Sequence, residues 1–195
     1  MIIAIEGNIG SGKSTQLNKL QKLDKFNIVK ENVEEWVENG WLQDFYENPK
    51  ENSFRFQMRV LLSRLNYNII HQYKKINIVE RCPQSSVLVF GKNLLNDKIL
   101  SQNDYHLMEK LLKTNNIWKP DIIIYIDTNF NECEKRINSR NRDGENIPIS
   151  YLENVETLYY KYLEKSMCRV FKINGLDTED NIHQKILSII EDFNF

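Results

Sequence analysis

A glycine-rich run near the start of the chain has the residue types and spacing of a phosphate-binding loop. The segment Gly7-Asn8-Ile9-Gly10-Ser11-Gly12-Lys13-Ser14 fits the pattern G-x-x-x-x-G-K-[ST] at every position. Glycines let backbone N–H groups approach phosphate oxygens, Lys13 supplies a positive charge for the β- and γ-phosphates, and Ser14 offers a hydroxyl to Mg²⁺. We expect a nucleoside triphosphate to contact Gly7, Asn8, Ile9, Gly10, Ser11, Gly12, Lys13, Ser14 and Thr15.

The segments on either side of this loop are those that the motif requires. Residues 1–5 form an apolar run of strand length, and residues 15–20 have the pattern of a helix. A helix that begins directly after the loop directs its N-terminus, the favourable end of its dipole, at the bound anion. This strand–loop–helix context favours a ligand site over an ordinary glycine-rich turn.

Apolar runs alternate with helical patterns along the rest of the chain. Strands are predicted at 1–6, 27–30, 76–80, 121–126 and 169–173. The alternation predicts an α/β fold, a P-loop domain whose central five-stranded parallel sheet has helices on both faces. In such a sheet ligands collect at the carboxyl ends of the strands, so the residues that follow each strand are the candidates for function.

Charged residues follow three of the predicted strands. Glu31 follows the second strand, Glu80 and Arg81 end and follow the third, and three arginines follow the fourth, namely Arg136, Arg140 and Arg142. Phosphoryl transfer needs a base for the nucleophile and cations for the developing charge, and guanidinium groups on a loop suit closure over a triphosphate. Solvated strand-end charges and an ordinary charged helix face are the alternatives for these groups.

These motifs together resemble the deoxynucleoside kinases related to deoxycytidine, deoxyguanosine and mitochondrial thymidine kinases. Residues 6–14 are similar to that family's phosphate loop, and residues 31–36 resemble its Glu-Pro-Val-x-x-Trp motif. The likeness implies that Glu31 is the general base for the 5′-hydroxyl. Residues 80–82 are similar to Glu-Arg-Ser, which implies that Arg81 lies near the 5′-oxygen and that Glu80 joins Ser14 at Mg²⁺. Glu31, Arg81 and Lys13 are then the catalytic residues.

The resemblance also implies a nucleoside pocket. Residues 46–49 and 54–57 are similar to the family's Tyr-Glu-x-Pro and Phe-x-Phe-Gln segments. Tyr46 and Glu145 would contact the 3′-hydroxyl, Phe56 and Phe90 would pack on the base, and Gln57 would pair with the base edge, although aromatic residues such as these are by default core residues. The implied substrate-binding residues are Glu31, Trp36, Tyr46, Phe56, Gln57, Arg64, Arg81, Ser86, Phe90 and Glu145.

The arginines match the family's lid, at about residues 136–148, and residues 147–153 match the Ile-Pro-Leu-x-Tyr-Leu-Glu sequence that follows it. The main chain of 174–177 falls where the family lines its adenine pocket. The activity implied is ATP- and Mg²⁺-dependent phosphorylation of the 5′-hydroxyl of deoxynucleosides.

This chain departs from the family's pattern at four places. Asn32 replaces a Pro, Cys82 replaces a Ser, the lid is one residue shorter between Arg142 and Pro148, and Ser86 stands where the deoxycytidine and deoxyguanosine kinases have an Asp. Without that Asp the acceptor for an exocyclic amine is weaker, and there is room for the 5-methyl group of thymine. We therefore expect a pyrimidine preference that includes both thymidine and deoxycytidine.

Two other classes of protein share some of these features. A thymidylate-type nucleoside monophosphate kinase has a similar length and fold, but its Asp-Arg-Tyr motif and its phosphate-loop Asp are absent. A GTP-binding switch protein would have Asn-Lys-x-Asp for guanine recognition, and this tetrapeptide is absent too. Both classes are therefore less favoured than a deoxynucleoside kinase.

Length and composition fit a single domain over residues 1–195. A net charge of −1 argues against nucleic acid or an anionic membrane as a partner, and no apolar run has the length of a membrane span. The first strand begins too early for a preceding signal peptide, and the cysteines have no metal-ligand spacing, so a cytosolic protein with reduced thiols is expected. The resemblance implies a homodimer through the amphipathic stretches 53–75 and 84–100.

Overall fold

A computed structural model describes residues 1–65, 76–114, 117–142 and 145–193 of the chain. Its sheet confirms the predicted α/β architecture, because all neighbouring strands pair in parallel in the order β2-β3-β1-β4-β5. Each predicted strand is present, with its ends shifted by no more than one residue. The strands are β1 (Ile2–Glu6), β2 (Phe26–Val29), β3 (Ile76–Glu80), β4 (Ile122–Asp127) and β5 (Arg169–Asn174).

Helices connect the strands and cover both faces of the sheet. One of them is a π-helix, Ser86–Gly91, which follows the short helix α5. The α-helices are α1 (Lys13–Gln21), α2 (Val33–Glu38), α3 (Trp41–Glu47), α4 (Pro49–Leu65), α5 (Pro83–Ser85), α6 (Lys92–Asn96), α7 (Gln102–Leu112), α8 (Phe130–Arg140), α9 (Ile149–Glu164) and α10 (Glu179–Glu191).

The central strands β1 and β4 are buried on both faces, which explains why β4 is a continuous apolar run. Alternate side chains pack against α1 and α10 on one face, and against α9 on the other. A third apolar cluster lies among helices α2, α3, α4 and α7 and the π-helix. The sheet thus supports the phosphate loop directly, whereas the helical cluster supports the pocket beside it.

The register of the strands aligns their carboxyl ends. Ile5 pairs with Glu80, and Asp127 pairs with Asn174. The segments that follow β1, β3, β4 and β5 therefore leave the sheet at a common edge, as expected for a parallel sheet that binds a ligand there.

Two sequence expectations extend beyond the residues that the structure describes. The predicted amphipathic stretch 53–75 is described as far as Leu65, and residues 143–144 of the predicted lid fall outside the described ranges. Within those ranges, no helix combines the length and apolarity needed to cross a membrane.

Candidate active site

The phosphate loop has a backbone that only glycine fits. Gly7 and Gly10 have φ angles of 153° and 79°. A Cβ atom would lie 2.5 Å from the Ser11 Oγ at Gly7, and 2.6 Å from the Cys133 carbonyl oxygen at Gly10. The loop thus packs tightly against the start of α8, and it leads directly into the N-terminus of α1.

The Lys13 side chain folds back over this loop. Its Nζ donates to the Asn8 carbonyl oxygen at 2.7 Å. Burial, reinforced by the positive charge of Arg81, lowers the Lys13 pKa to about 7, against the opposing effect of Glu80. The Asn8 side chain, in contrast, donates to the Leu152 carbonyl oxygen at 2.8 Å. Asn8 therefore shapes the loop with its side chain and can face phosphate only with its backbone.

Ser14 and Glu80 form an oxygen pair beside the loop. The Ser14 Oγ donates to Glu80 Oε1 at 3.0 Å, and Glu80 Oε2 accepts a hydrogen bond from the Glu31 backbone N–H at 3.4 Å. In the described part of the chain, no cluster of three or more His, Cys, Asp or Glu residues could hold a metal. Two protein oxygens suit Mg²⁺ nevertheless, because this ion keeps several waters and takes further ligands from substrate phosphates.

The Glu31 carboxylate lies between two guanidinium groups. Arg64 Nη2 donates to one of its oxygens and Arg81 Nη1 to the other, and the Glu31 side chain is only 8% exposed. Arg64 also donates, through Nη1, to the Ser86 Oγ. From the sequence, Arg64 and Ser86 were expected only as substrate-binding residues. The structure shows that Arg64 joins Ser86 to the expected general base.

Hydrogen bonds and an aromatic ring hold the Arg81 side chain in place. Its backbone is left-handed, with a φ of 61°, which is uncommon for a residue other than glycine and concentrated at functional sites. Its Nε donates to the Tyr159 hydroxyl at 3.1 Å and its Nη2 to the Gly7 carbonyl oxygen at 3.2 Å. Phe90, expected to pack on a base, lies with its ring centre 4.8 Å from the Arg81 Cζ.

Aromatic rings form a pocket next to Glu31. Phe56 stacks on Phe45 with ring centres 5.0 Å apart, and Trp36 meets Phe56 edge-on at 5.6 Å. Gln57 is buried at the same place, and its Oε1 has no hydrogen-bond partner among the described residues. An apolar slot with one unused amide oxygen suits a planar base that offers a hydrogen-bond donor.

Tyr46 lies next to Glu145, which belongs to the lid segment. Burial, together with the negative charge of Glu145, raises the pKa of Tyr46 far above its usual range. The Glu145 side chain is 4% exposed, accepts three hydrogen bonds from Arg140, at 2.9, 2.5 and 2.7 Å, and lies 3.6 Å from Arg142 Nη1. Glu145 therefore holds Arg140 and Arg142 beside the position expected for the 3′-hydroxyl.

Arg136 connects the phosphate loop to the turn after β5. Its Nη2 donates to the Gly175 carbonyl oxygen at 3.0 Å, and its Nη1 donates to the Ser11 carbonyl oxygen at 3.4 Å. A Cβ atom at Gly175 would lie 1.8 Å from the Thr128 Oγ1, so this turn can approach β4 only with glycine. The turn is the one expected to line an adenine pocket.

A cavity of about 380 Å³ joins these parts. The wall includes five residues that were not predicted from the sequence, namely Val33, Leu42, Phe45, Val60 and Tyr151. Four expected site residues do not line the cavity, namely Gly7, Asn8, Ser11 and Ser86. The expected site residues that line it are Ile9, Gly10, Gly12, Lys13, Ser14, Thr15, Glu31, Trp36, Tyr46, Phe56, Gln57, Arg64, Glu80, Arg81, Phe90, Arg136, Arg140, Arg142 and Glu145.

Three of the missed residues had a sequence signal. Val33 lies within the motif at residues 31–36, Phe45 directly precedes the Tyr46 motif, and Tyr151 lies within residues 147–153, which follow the lid arginines. Phe45 also shares helix α3 with Tyr46, a predicted contact, and could have been found as its aromatic neighbour.

Comparison with known proteins agrees with this geometry. The family model described as "Deoxynucleoside kinase" matches residues 3–194. The deoxyadenosine kinase of Dictyostelium discoideum is 34% identical over 83% of this chain, a match that spans 66%, just under two thirds, of that protein. A probable deoxycytidine kinase of fowlpox virus is 30% identical over 98% of this chain and 87% of that protein.

The fold has a close counterpart among solved structures. Deoxyadenosine kinase from M. mycoides, solved with dCMP and dCDP, superposes with a TM-score of 0.87 at 24% identity over 100% of both chains. At that identity the likeness concerns the fold, and the family match comes from the sequence comparisons. The chain belongs to the deoxynucleoside kinase family and is a phosphotransferase with the P-loop kinase fold.

Proposed function

We propose that this protein transfers the γ-phosphoryl group of ATP to the 5′-hydroxyl of a deoxynucleoside. The observation that carries the proposal is the position of the Glu31 carboxylate. It is buried between Arg64 and Arg81 in the wall of the cavity that also contains Lys13 and Ser14 of the phosphate loop. A base, a phosphate site and an aromatic slot therefore share one cavity.

In this mechanism Glu31 accepts the proton of the 5′-hydroxyl as its oxygen attacks the γ-phosphorus in line. The bond from the γ-phosphorus to the β,γ-bridging oxygen breaks, and ADP leaves. Lys13, Arg81 and the arginines of the lid stabilise the charge that develops on the transferred group. Closure of the lid excludes water that would otherwise hydrolyse ATP. Ser14 and Glu80 would hold Mg²⁺, which neutralises phosphate charge when bound.

One assay tests this function against its alternatives. The protein is incubated with ATP labelled at the γ-phosphate and with the four deoxynucleosides and their monophosphates. We expect label in deoxynucleoside monophosphates. Label that appears only in diphosphates would instead identify a monophosphate kinase, and slow hydrolysis without transfer would identify a nucleotide switch.

We further propose a relaxed pyrimidine preference, with thymidine and deoxycytidine as substrates and purines slower. Ser86 is small, and its hydroxyl is bound by Arg64, so no carboxylate stands there to select an amino group. The amide of Gln57 can present either its oxygen or its nitrogen to a base edge, so it discriminates weakly between pyrimidines.

Replacing Ser86 with Asp is expected to raise the ratio of kcat/KM for deoxycytidine over thymidine by about tenfold or more. The new carboxylate beside Arg64 would accept a hydrogen bond from an exocyclic amine and would oppose the thymine methyl group and O4. Competition between the four deoxynucleosides measures the ratio, and Ser86→Ala is the matched control without the charge. If the wild-type protein phosphorylates deoxyguanosine efficiently and does not phosphorylate thymidine, Arg64 and not Ser86 governs the choice of base.

The lid arginines are expected to act mainly at the transition state. Arg140→Lys and Arg142→Lys retain the charge but lose the planar fork, so kcat should fall more than the affinity for ATP. Steady-state kinetics and ATP titration measure the two quantities. Lys135→Ala, which removes an exposed charge from α8, the helix that ends at Arg140, is the control. A loss of ATP affinity with an unchanged kcat would show that the arginines only hold ground-state ATP.

For the whole protein we propose a single domain over residues 1–195 that acts as a cytosolic homodimer. Three free cysteines, of which Cys82 and Cys133 are buried, support a reducing compartment. Exposed apolar side chains on α4 and the π-helix, Leu62 and Leu88, support a protein-covered face. Light scattering is expected to give twice the mass of one chain.

A further inference from the structure

A fully buried carboxylate at the end of β1 has no part in the proposed mechanism. The Glu6 side chain accepts hydrogen bonds from the Cys82 backbone N–H, to Oε1, and from the Tyr159 hydroxyl, to Oε2, both at 2.9 Å. Burying a carboxylate is costly even when it is hydrogen-bonded. Both partners contact Arg81: Cys82 follows it in the chain, and Tyr159 accepts a hydrogen bond from its side chain.

The first partner concerns the backbone of Arg81. The left-handed conformation of this residue, at a φ of 61°, persists only when its surroundings hold it. The Cys82 N–H follows directly, and its hydrogen bond to Glu6 fixes the peptide that links the two residues. One oxygen of Glu6 therefore stabilises the turn that directs the Arg81 side chain into the cavity.

The second partner concerns the guanidinium group. Tyr159 is fully buried on α9, donates its hydroxyl hydrogen to Glu6, and accepts from Arg81 Nε at 3.1 Å. Burial, with the negative charge of Glu6, raises the Tyr159 pKa well above its usual range, so the hydroxyl keeps its proton. Since that single hydrogen is directed at Glu6, the oxygen lone pairs face the Arg81 Nε–H.

We propose that Glu6 and Tyr159 are a positioning pair that fixes Arg81 against the Glu31 carboxylate. The inference rests on the proposed function, in which Arg81 and Glu31 act at the 5′-oxygen. Arg81 reaches Glu31 through Nη1 and the Gly7 carbonyl through Nη2. The Tyr159 contact at Nε is the third point, and three points set the plane of a guanidinium group.

The primary test is Tyr159→Phe, which removes only the hydroxyl. We expect kcat for deoxynucleoside phosphorylation to fall by about 10- to 100-fold, the change that follows from losing one hydrogen bond to a charged group. The KM values should change little, because neither residue of the pair lines the cavity. Tyr160→Phe is the matched control on the same helix, since it removes a hydroxyl that donates to a different carboxylate, Asp127.

A double-mutant cycle separates positioning from simple stabilisation. Lysine has a carbon atom where arginine has Nε, so an Arg81→Lys variant has already lost the hydrogen bond from Nε to Tyr159. In that background Tyr159→Phe should lower kcat little further. If Tyr159→Phe lowers kcat by the same factor in both backgrounds, the inference is overturned. A normal kcat for Tyr159→Phe, with an active wild type, would overturn it too. Wild-type protein that fails to phosphorylate any deoxynucleoside would instead overturn the proposed function. If Tyr159→Phe does not fold, Glu6→Gln enters the same cycle with the same expectations.

Discussion

Replacing Glu31 with Gln is expected to lower kcat by about 10²- to 10⁴-fold, the usual contribution of a general base. The amide is nearly isosteric with the carboxylate but cannot accept the proton of the 5′-hydroxyl. Affinities for nucleoside and ATP should change much less, because the aromatic slot and the phosphate loop are untouched. Steady-state kinetics with the best deoxynucleoside, together with separate binding titrations, measure the difference.

The control for this substitution lies on the adjacent helix α2. Glu34→Gln makes the same chemical change at an exposed position and should leave kcat unaltered. A Glu31→Gln enzyme with near-normal turnover would remove Glu31 from the mechanism and give the role of base to Glu34 or Glu35. Loss of substrate affinity without loss of kcat would limit Glu31 to holding its two arginines in place.

Replacing Lys13 with Met is expected to reduce kcat/KM by about 10²- to 10³-fold, as found when one preorganised donor to a developing charge is removed. Methionine keeps much of the length and apolar volume of lysine but none of its charge. Lys19→Met is the matched control, because Lys19 lies on the same helix and pairs with Asp180, away from the loop. Equal losses for both variants would indicate damage to α1 instead of loss of a phosphate contact.

The lowered pKa of Lys13, about 7, gives this prediction a pH dependence. Above pH 7 the free enzyme holds Lys13 largely neutral, and a bound triphosphate favours the charged form. ATP binding should therefore take up a proton at pH 8, and affinity should fall as pH rises above 7. Calorimetry in two buffers of different ionisation enthalpy measures the uptake. If the Lys13→Met variant still takes up a proton when ATP binds, another group accepts that proton.

The parts of the site that the sequence determined are those carried by short stretches of chain. The phosphate loop is a local motif, and the five strands are apolar runs whose alternation with helices leaves only a parallel sheet. Because parallel strands end at one edge, Glu31, Glu80 and Arg81 could be assigned to a common site from their positions after strands. Their positions left solvated strand-end charges as an alternative, and their roles came from the resemblance of the motifs to the deoxynucleoside kinases.

Tertiary structure decided the contacts between distant side chains. Arg64 lies on α4, and only the packing of that helix beside the sheet edge brings its guanidinium to both Glu31 and Ser86. The π-helix, Ser86–Gly91, does not follow the helical period, so the directions of its side chains could not be read from spacing. The hydrogen bonds from Glu6 through Tyr159 to Arg81 join β1, α9 and the end of β3. A sequence pattern describes each of these elements separately, so it cannot predict the bonds between them. The orientation of a side chain across such a junction depends on how the elements pack, which is a property of the whole fold.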